Sequence, residues 1–194
     1  EKRKKIRQER RRVQEAGVSF RHARGTDISA QDWAFFYQCY ERTYLEHGNR
    51  PYLQPGFFAD MARHLPDHWL LFTAQRDGRD IACSLIGLQD EPGQPRVSYG
   101  RYWGALERVD CLHFEACYYQ PLEWCLTHGF DRFEGGAQGE HKMARALMPV
   151  STHSAHWLAH PGFAQAVEDF LQREGTGVAR YLDHLLERSP LRRG

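Results

Sequence analysis

The chain contains no uninterrupted apolar run of about 18 residues, the length that a membrane-spanning helix needs, so a transmembrane span is not expected. It also lacks the hydrophobic region of a signal peptide. Its five cysteines include no C-x-x-C pair, and their odd number argues against a complete disulfide framework. We therefore expect reduced, buried thiols in a cytoplasmic protein. Because the chain begins on Glu1 rather than Met, we expect it to be part of a longer protein.

Aromatic residues are missing from the first 12 residues, which are strongly basic. Eight of the 26 Lys and Arg residues lie there beside two acidic residues, which leaves 18 basic and 23 acidic residues in the rest of the chain. Such an arm can bind nucleic acid, including tRNA, or anionic lipid, or it can be a solvated helix or linker. Single-strand binding favours aromatic residues among the charges. We therefore favour the solvated helix or linker for residues 1–17.

Lysine is scarce in the rest of the chain, where Lys142 is the only one after Lys5. A compact ammonium group is not equivalent to the planar guanidinium that this chain otherwise uses. Residues 134–139 are glycine-rich and lead directly to Glu140, His141 and Lys142. Lys142 is either a solvated surface residue or part of a turn that feeds a helix N-terminus and meets an anionic or carbonyl group. We favour the second interpretation.

Apolar periodicity and turn residues predict one mixed α/β domain over residues 18–194. Ser29 and Asp32 resemble a capping box at the start of the first helix of this domain. The predicted strands are 18–24, 69–76, 80–89, 96–106 and 130–135, with an extended segment over 150–159. The predicted helices are 33–45, 55–65, 113–128 with Gly129 as its C-cap, 140–147, 163–174 and 178–188.

Four motifs carry a resemblance to a known family: YGRYWG at 99–104, HFEACYYQ at 113–120, GAQGEHK at 136–142 and SAHW at 154–157. They resemble the FemAB-like family of predicted N-acyltransferases, the peptidoglycan biosynthesis/recognition group of bacterial type. The element order is similar to that of the GNAT acyltransferase fold. The resemblance covers nearly the whole chain. It departs at Ala146, where a glycine is expected, and at Pro121, which removes a backbone donor from a helix.

The resemblance implies a mostly antiparallel mixed sheet flanked by helices. Family members look like two GNAT-type modules in tandem, so this chain resembles the C-terminal module, with 1–17 as the inter-module arm and the N-terminal module packed against it. The implied activity, in the full-length protein, is transfer of an acyl or aminoacyl group from an acyl-CoA or aminoacyl-tRNA donor to an amine. Two alternatives stay open: a non-catalytic module that binds a peptidoglycan-type or peptidic ligand, and a tRNA-binding or nucleic-acid-binding unit.

N-acyl transfer needs a base for the acceptor amine and donors for the oxyanion. The expected catalytic residues are Glu115, His141 and Lys142, with Glu115 or His141 as the base. In GNAT folds the donor lies where two central strands splay apart, with its phosphates at the next helix N-terminus. Residues 105–110 lack the usual glycine-rich turn there. Glu107 and Asp110 would repel phosphates, which argues against a standard acetyl-CoA enzyme.

The expected substrate-binding residues lie on the motif strand, on the motif helix or in the segments that follow them: Tyr99, Arg101, Tyr102, Trp103, Tyr118, Tyr119, Gln138, Glu140, Arg145, His153 and His156. The aromatic members could instead belong to the core. In an extended segment His153 and His156 point to opposite faces, so they would not chelate one metal by themselves. No metal is expected, although His141 or Glu140 could complete a zinc site with them.

Overall fold

The computed structural model describes residues 2–136, 140–145 and 147–187. The chain divides into two compact units, Glu1–Gln138 and Gly139–Gly194, each of which is described by itself. No helix among the described residues is long and apolar enough to cross a membrane.

The first unit begins with a helix and continues as a sheet with helices on both faces. Its helices are α1 (Lys2–Glu15), α2 (Ala30–Glu46), α3 (Pro55–His64), α4 (Leu112–Phe114) and α5 (Gln120–Thr127), with a π-helical segment (Glu115–Tyr119) joining α4 to α5. Its strands are β1 (Ser19–Arg24), β2 (Trp69–Arg76), β3 (Arg79–Gln89), β4 (Val97–Ala105) and β5 (Arg132–Glu134). Short 3-10 turns cover Gly25–Asp27 and Pro66–His68.

The five strands lie in sequence order in one sheet. The β1–β2, β2–β3 and β3–β4 pairs are antiparallel, and β4 pairs with β5 in parallel across the helix that joins them. This is the mostly antiparallel GNAT-type topology that the family resemblance implies, and the prediction is confirmed. The Ser29–Asp32 capping box is also present, with both reciprocal hydrogen bonds.

Strand β4 carries a bulge in its middle. Tyr102 pairs with Leu85 and Gly100 pairs with Ile86, so Arg101 has no counterpart on β3. One extra residue reverses the alternation of side chains along a strand. As a result Tyr102 packs against the aromatic core under α2. Gly100 and the residues before it keep the alternation of side chains that β4 has ahead of the bulge.

The two faces of the sheet bury separate apolar cores. The face under α2 and α3 contributes to a cluster of Ile28, Phe36, Cys39, Tyr40, Phe58, Met61, Leu71, Cys83 and Leu85. On the opposite face α5 packs over Leu70, Phe72, Ile86 and Leu88, while α1 and α4 pack over Ala74, Ile81 and Ala82. The helix that follows β4 is therefore fixed on one face, with its start beside α1.

The π-helical segment follows from one proline and one serine. The N–H of Gln120 donates to the carbonyl of Glu115, one residue farther back than in an α-helix. The next residue, Pro121, has no N–H to offer the carbonyl of Ala116. The hydroxyl of Ser84 on β3 donates to that carbonyl instead, at 2.6 Å in a buried position. A bond across the core thus compensates for the donor that Pro121 lacks.

Removing this hydroxyl should destabilise the fold. In Ser84→Ala the buried carbonyl of Ala116 loses its side-chain donor, so we expect the free energy of unfolding to fall by about 1–2 kcal/mol. Thr73→Val is the matched control, because the buried Thr73 hydroxyl has no hydrogen-bond partner among the described residues. That change should be neutral or stabilising. Urea unfolding of both variants measures the difference, and equal losses would contradict the assignment.

The second unit contains a 3-10 helix, Glu140–Arg145, and one long helix, α6 (Pro161–Glu187). The prediction of two helices over 163–174 and 178–188 is wrong, since α6 runs through Gly175 and Gly177. Each glycine costs about 1 kcal/mol relative to alanine in a helix. The apolar residues keep helical spacing across them, at Leu171, Val178 and Tyr181, but these side chains are exposed, so their packing within the described residues does not account for the continuation.

Two further boundaries differ from prediction. Residues 150–159 form no strand among the described residues and are exposed throughout, including the apolar Val150, Trp157 and Leu158. Strand β5 is limited to three residues. The N–H of Phe130 donates to the carbonyl of Cys125 and so closes the preceding helix, with Gly129 at φ 70° as predicted.

Candidate functional site

The described ladder between β4 and β5 is short. Their ladder joins Val97–Tyr99 to Arg132–Glu134 only. From Gly100 to Ala105, β4 has a ladder partner on its β3 side alone, as far as the described residues go. Because unpaired strand edges present N–H and C=O groups to a ligand, this stretch can hold an extended, amide-containing molecule.

Glu115 lies in the π-helical segment, which packs against α1, β2 and β3, and is 4% exposed. The Nε of Arg10 on α1 donates to its two carboxylate oxygens at 3.1 and 3.3 Å, and the amide of Gln120 donates at 2.8 Å. Arg10 also reaches Glu123 at 2.8 Å. Partial burial alone would lower the pKa of the Arg10 guanidinium, but bonds and charges from Glu123 and Glu115 outweigh it and raise that pKa. The expected base is therefore held in a charged network.

Tyr119 is held by the same helix α1. It is buried, and its hydroxyl donates to the carboxylate of Glu9, which is buried as well. Glu115 and Tyr119 thus share one helix face, as their spacing predicts, and that face meets Glu9 and Arg10.

The basic N-terminal arm is a packed helix rather than a linker. Sequence reasoning missed Glu9 and Arg10 because nothing local in a run of charges marks which members have distant partners.

The acidic turn after β4 is neutralised by cations. Glu107 forms ion pairs with Arg76 and Arg79 of the β2–β3 hairpin, and Asp110 pairs with Arg12 of α1 at 3.3 Å. The sequence argument that these carboxylates repel phosphates considered only residues 105–110. Since both carboxylates have cationic partners from distant parts of the chain, that argument loses its force.

The aromatic residues of the motif strand and helix belong largely to the cores. Tyr102 packs against Phe36, Tyr40 and Phe58, with ring centroids 5.4–6.0 Å away. Trp103 lies on the other face with its ring 5.4 Å from that of His113.

The remaining members of that expected set differ in burial. Tyr118 is buried and meets His113 at 5.7 Å. The hydroxyl of Tyr99 donates to Gln89 at 3.0 Å. Arg101 is exposed and lies over the Tyr102 ring. Of these three residues, only Arg101 is exposed. This supports the alternative that the aromatic residues of the expected set belong to the core.

The expected residues after β5 lie in the second unit or outside the described residues. Lys142 is half-buried and Arg145 is buried within the 3-10 helix. Glu140 and His141 belong to the same helix, but their side chains are not among those described, and Gln138 lies outside the described residues. The prediction that Lys142 and Glu115 act in one pocket therefore stays a prediction.

His153 and His156 are both exposed, and a ring nitrogen of His156 lies 3.0 Å from the Ser154 hydroxyl. Within the described part of the chain, no group of three or more His, Cys, Asp or Glu side chains is placed to hold a metal ion.

Comparison with known proteins gives one match over nearly the whole chain. The family model FemAB_like, peptidoglycan biosynthesis/recognition, matches residues 1–193. No curated protein shows significant sequence similarity to the chain.

Several solved structures are similar at low identity. An aminoglycoside acetyltransferase from an uncultured soil metagenomic sample, in complex with sisomicin, is 10% identical with a TM-score of 0.48, over 76% of this chain and 98% of that chain. A predicted acetyltransferase with acetyl-CoA from Clostridium acetobutylicum is 12% identical with a TM-score of 0.48, over 74% and 95%. An aminoglycoside N-acetyltransferase in complex with CoA is 14% identical with a TM-score of 0.47, over 74% and 95%.

Proposed function

We propose that this chain, which belongs to the FemAB-like peptidoglycan biosynthesis/recognition family, is an N-acyltransferase with an amine acceptor. The carrying observation is the edge of β4 beyond its ladder with β5. Because β4 runs on from Gly100 to Ala105 without a partner on its β5 side among the described residues, an extended donor arm with amide groups can pair with its backbone.

This edge favours an acyl thioester of coenzyme A over an aminoacyl-tRNA as the donor. The pantetheine arm of coenzyme A is a linear chain with two amides, which suits a strand edge, whereas an aminoacyl ester on a ribose has no such arm. The pairing of Glu107 and Asp110 with arginines removes the electrostatic objection to an anionic donor at this end of the sheet.

The reaction needs a neutral amine placed against the thioester carbonyl. The amine nitrogen forms a bond to the carbonyl carbon, the oxyanion that results is stabilised by donors, and the carbon–sulfur bond then breaks. A base accepts the amine proton, and the thiolate leaves and is protonated. Glu115, His141 and Lys142 remain our candidates for base and oxyanion stabiliser.

Hydrogen–deuterium exchange with acetyl-CoA tests the donor site. We expect protection of the amides of Gly100–Ala105 and no change in β1, which lies at the other edge of the sheet. Coenzyme A should give similar protection, since the arm is shared. Thiol release with a panel of peptidoglycan-type peptides and amino sugars then tests transfer. Absence of protection in β4 would contradict the donor site, and protection without any acylated amine would favour the non-catalytic binding module.

A further inference from the structure

Arg101 is the one arginine of the five strands that has no carboxylate partner among the described residues. It is exposed, and its guanidinium forms neither a hydrogen bond nor an ion pair with any residue in the described ranges. The other strand arginines each form an ion pair with an aspartate or a glutamate: Arg21, Arg24, Arg76, Arg79 and Arg132. The unneutralised guanidinium on this sheet is therefore a candidate for binding an anion from outside the chain.

Three features of the fold determine where the Arg101 side chain lies. Arg101 is the extra residue of the β4 bulge and has no counterpart on β3. Gly87 of β3 has no side chain, and a Cβ there would lie 3.6 Å from Cγ of Arg101, so the Arg101 stem crosses this glycine. The guanidinium carbon lies 6.0 Å from the centroid of the Tyr102 ring, within the range of a cation–π contact. The stem is thus supported by the sheet, while the N–H groups of the guanidinium remain for a ligand.

The surroundings of this cation are aromatic, which selects the kind of anion. The half-buried Trp69 and Tyr99 flank Gly87, because a Cβ there would lie 3.7 Å from a ring carbon of Trp69 and from Cβ of Tyr99. The faces of aromatic rings are negative. One guanidinium neutralises one carboxylate, whereas a phosphate monoester carries a charge of about −1.5 to −2 at pH 7 and would keep uncompensated charge beside these rings. A carboxylate also matches the planar guanidinium fork.

We propose that Arg101 binds the carboxylate of the acceptor, so that the acceptor is an amine that also carries a carboxylate, such as an amino acid or a short peptide. This inference rests on the proposed function, because Arg101 lies within the Gly100–Ala105 edge that would pair with the donor. Parallel hydrogen bonds from the guanidinium fork orient the acceptor and leave its amine free to attack the thioester. Arg101 is thus a specificity-determining residue, and because it stays protonated it takes no part in proton transfer.

Nuclear magnetic resonance of the ¹⁵N-labelled chain tests the site, because the Nε–H signal of Arg101 can be identified by its loss in Arg101→Met. The probes are alanyl-alanine, its C-terminal amide and aminoethyl phosphate. We expect alanyl-alanine to shift the Arg101 signal and to bind at least tenfold more tightly than the amide, which keeps the amine but lacks the carboxylate. Saturation-transfer measurements on the ligands should show that this preference disappears in Arg101→Met. Arg101→Lys keeps the charge without the fork and should retain part of the preference.

Arg7→Met is the matched control, since Arg7 is an exposed arginine of α1 that forms no ion pair with another described residue. It should change the affinity for alanyl-alanine less than twofold. Equal losses in Arg7→Met and Arg101→Met would overturn the proposal in favour of a general charge effect.

The binding of the three probes decides the remaining outcomes. Equal binding of the dipeptide and its amide, or no shift of the Arg101 signal with any probe, would overturn the proposal. Tighter binding of aminoethyl phosphate than of alanyl-alanine would overturn it in favour of a phosphate-bearing acceptor. Protection of β4 by acetyl-CoA reports on the donor separately. Protection without a preference for the carboxylate would refute this inference and leave the proposed function intact, whereas a carboxylate preference without protection would contradict the donor site instead.

Discussion

Replacing Gly104 with alanine is expected to destabilise the protein by about 3 kcal/mol or more. A Cβ at this position would overlap the carbonyl group of Cys39 on α2, which is backbone and cannot rotate away. The strand and helix would have to separate, and the buried aromatic cluster between them would lose contacts. Thermal and urea unfolding measure the loss, and failure to accumulate as soluble protein is the extreme form of the same outcome.

Gly100→Ala in the same strand is the control. The nearest atoms to a Cβ there are the carbonyl oxygen of Glu134 at 3.5 Å and a ring carbon of Phe133 at 3.7 Å, which are ordinary contacts. We expect a change below about 1 kcal/mol. Similar losses for both variants would show that strand glycine itself, rather than the approach of α2 to β4, sets the cost.

Arg10→Met should give the second large effect, a loss of about 2 kcal/mol. Removing Arg10 leaves the carboxylate of Glu115 buried without its cation, and breaking a buried pair costs about 3–5 kcal/mol when no other partner remains. We expect less here because Arg10 is 40% exposed and Gln120 continues to donate. Chemical unfolding measures the change.

Arg11→Met is the neighbouring control. Arg11 is exposed, and its one ion pair among the described residues is with Glu15 of its own helix, an interaction worth about 0.5 kcal/mol or less. A double-mutant cycle of Arg10→Met with Glu115→Gln isolates the pair. A coupling energy near zero would mean that α1 is bound to the sheet by Val13 and its apolar neighbours instead.

The same Glu115→Gln variant separates two roles of this carboxylate once transfer is measurable. A base contributes about 10²–10⁴-fold to the rate, so its loss should lower turnover by at least 100-fold, beyond the loss of stability that comes from breaking the pair with Arg10. A purely structural Glu115 would show that loss of stability with turnover retained. The dense hydrogen bonding of this carboxylate makes the comparison necessary, because burial and position alone suit either role.

Elements defined by local chemistry are predictable from the sequence. The β2–β3 hairpin follows from two apolar runs around Asp77 and Gly78, and the start of α2 follows from Ser29 and Asp32. The sequence of such elements predicts a mixed α/β sheet, and the family resemblance implies its GNAT-type strand order.

Features that depend on distant partners are not predictable in this way. The π-helical segment needs Ser84 as much as Pro121, and the sequence offers no local link between them. Arg101 as a bulge residue depends on the register of β4 against β3. At the candidate site, the shared face of Glu115 and Tyr119 follows from helical spacing, but their partners on α1 lie more than 100 positions away.

The π-helical segment also determines how this chain should be aligned with others. A π turn has the geometry of a one-residue insertion in an α-helix. A related chain without Pro121 could lack one residue between Glu115 and Tyr119 and still present the same faces on both sides. An alignment there needs a gap, and without it every position from Gln120 to Thr127 would be compared with a neighbour about 100° away around the helix.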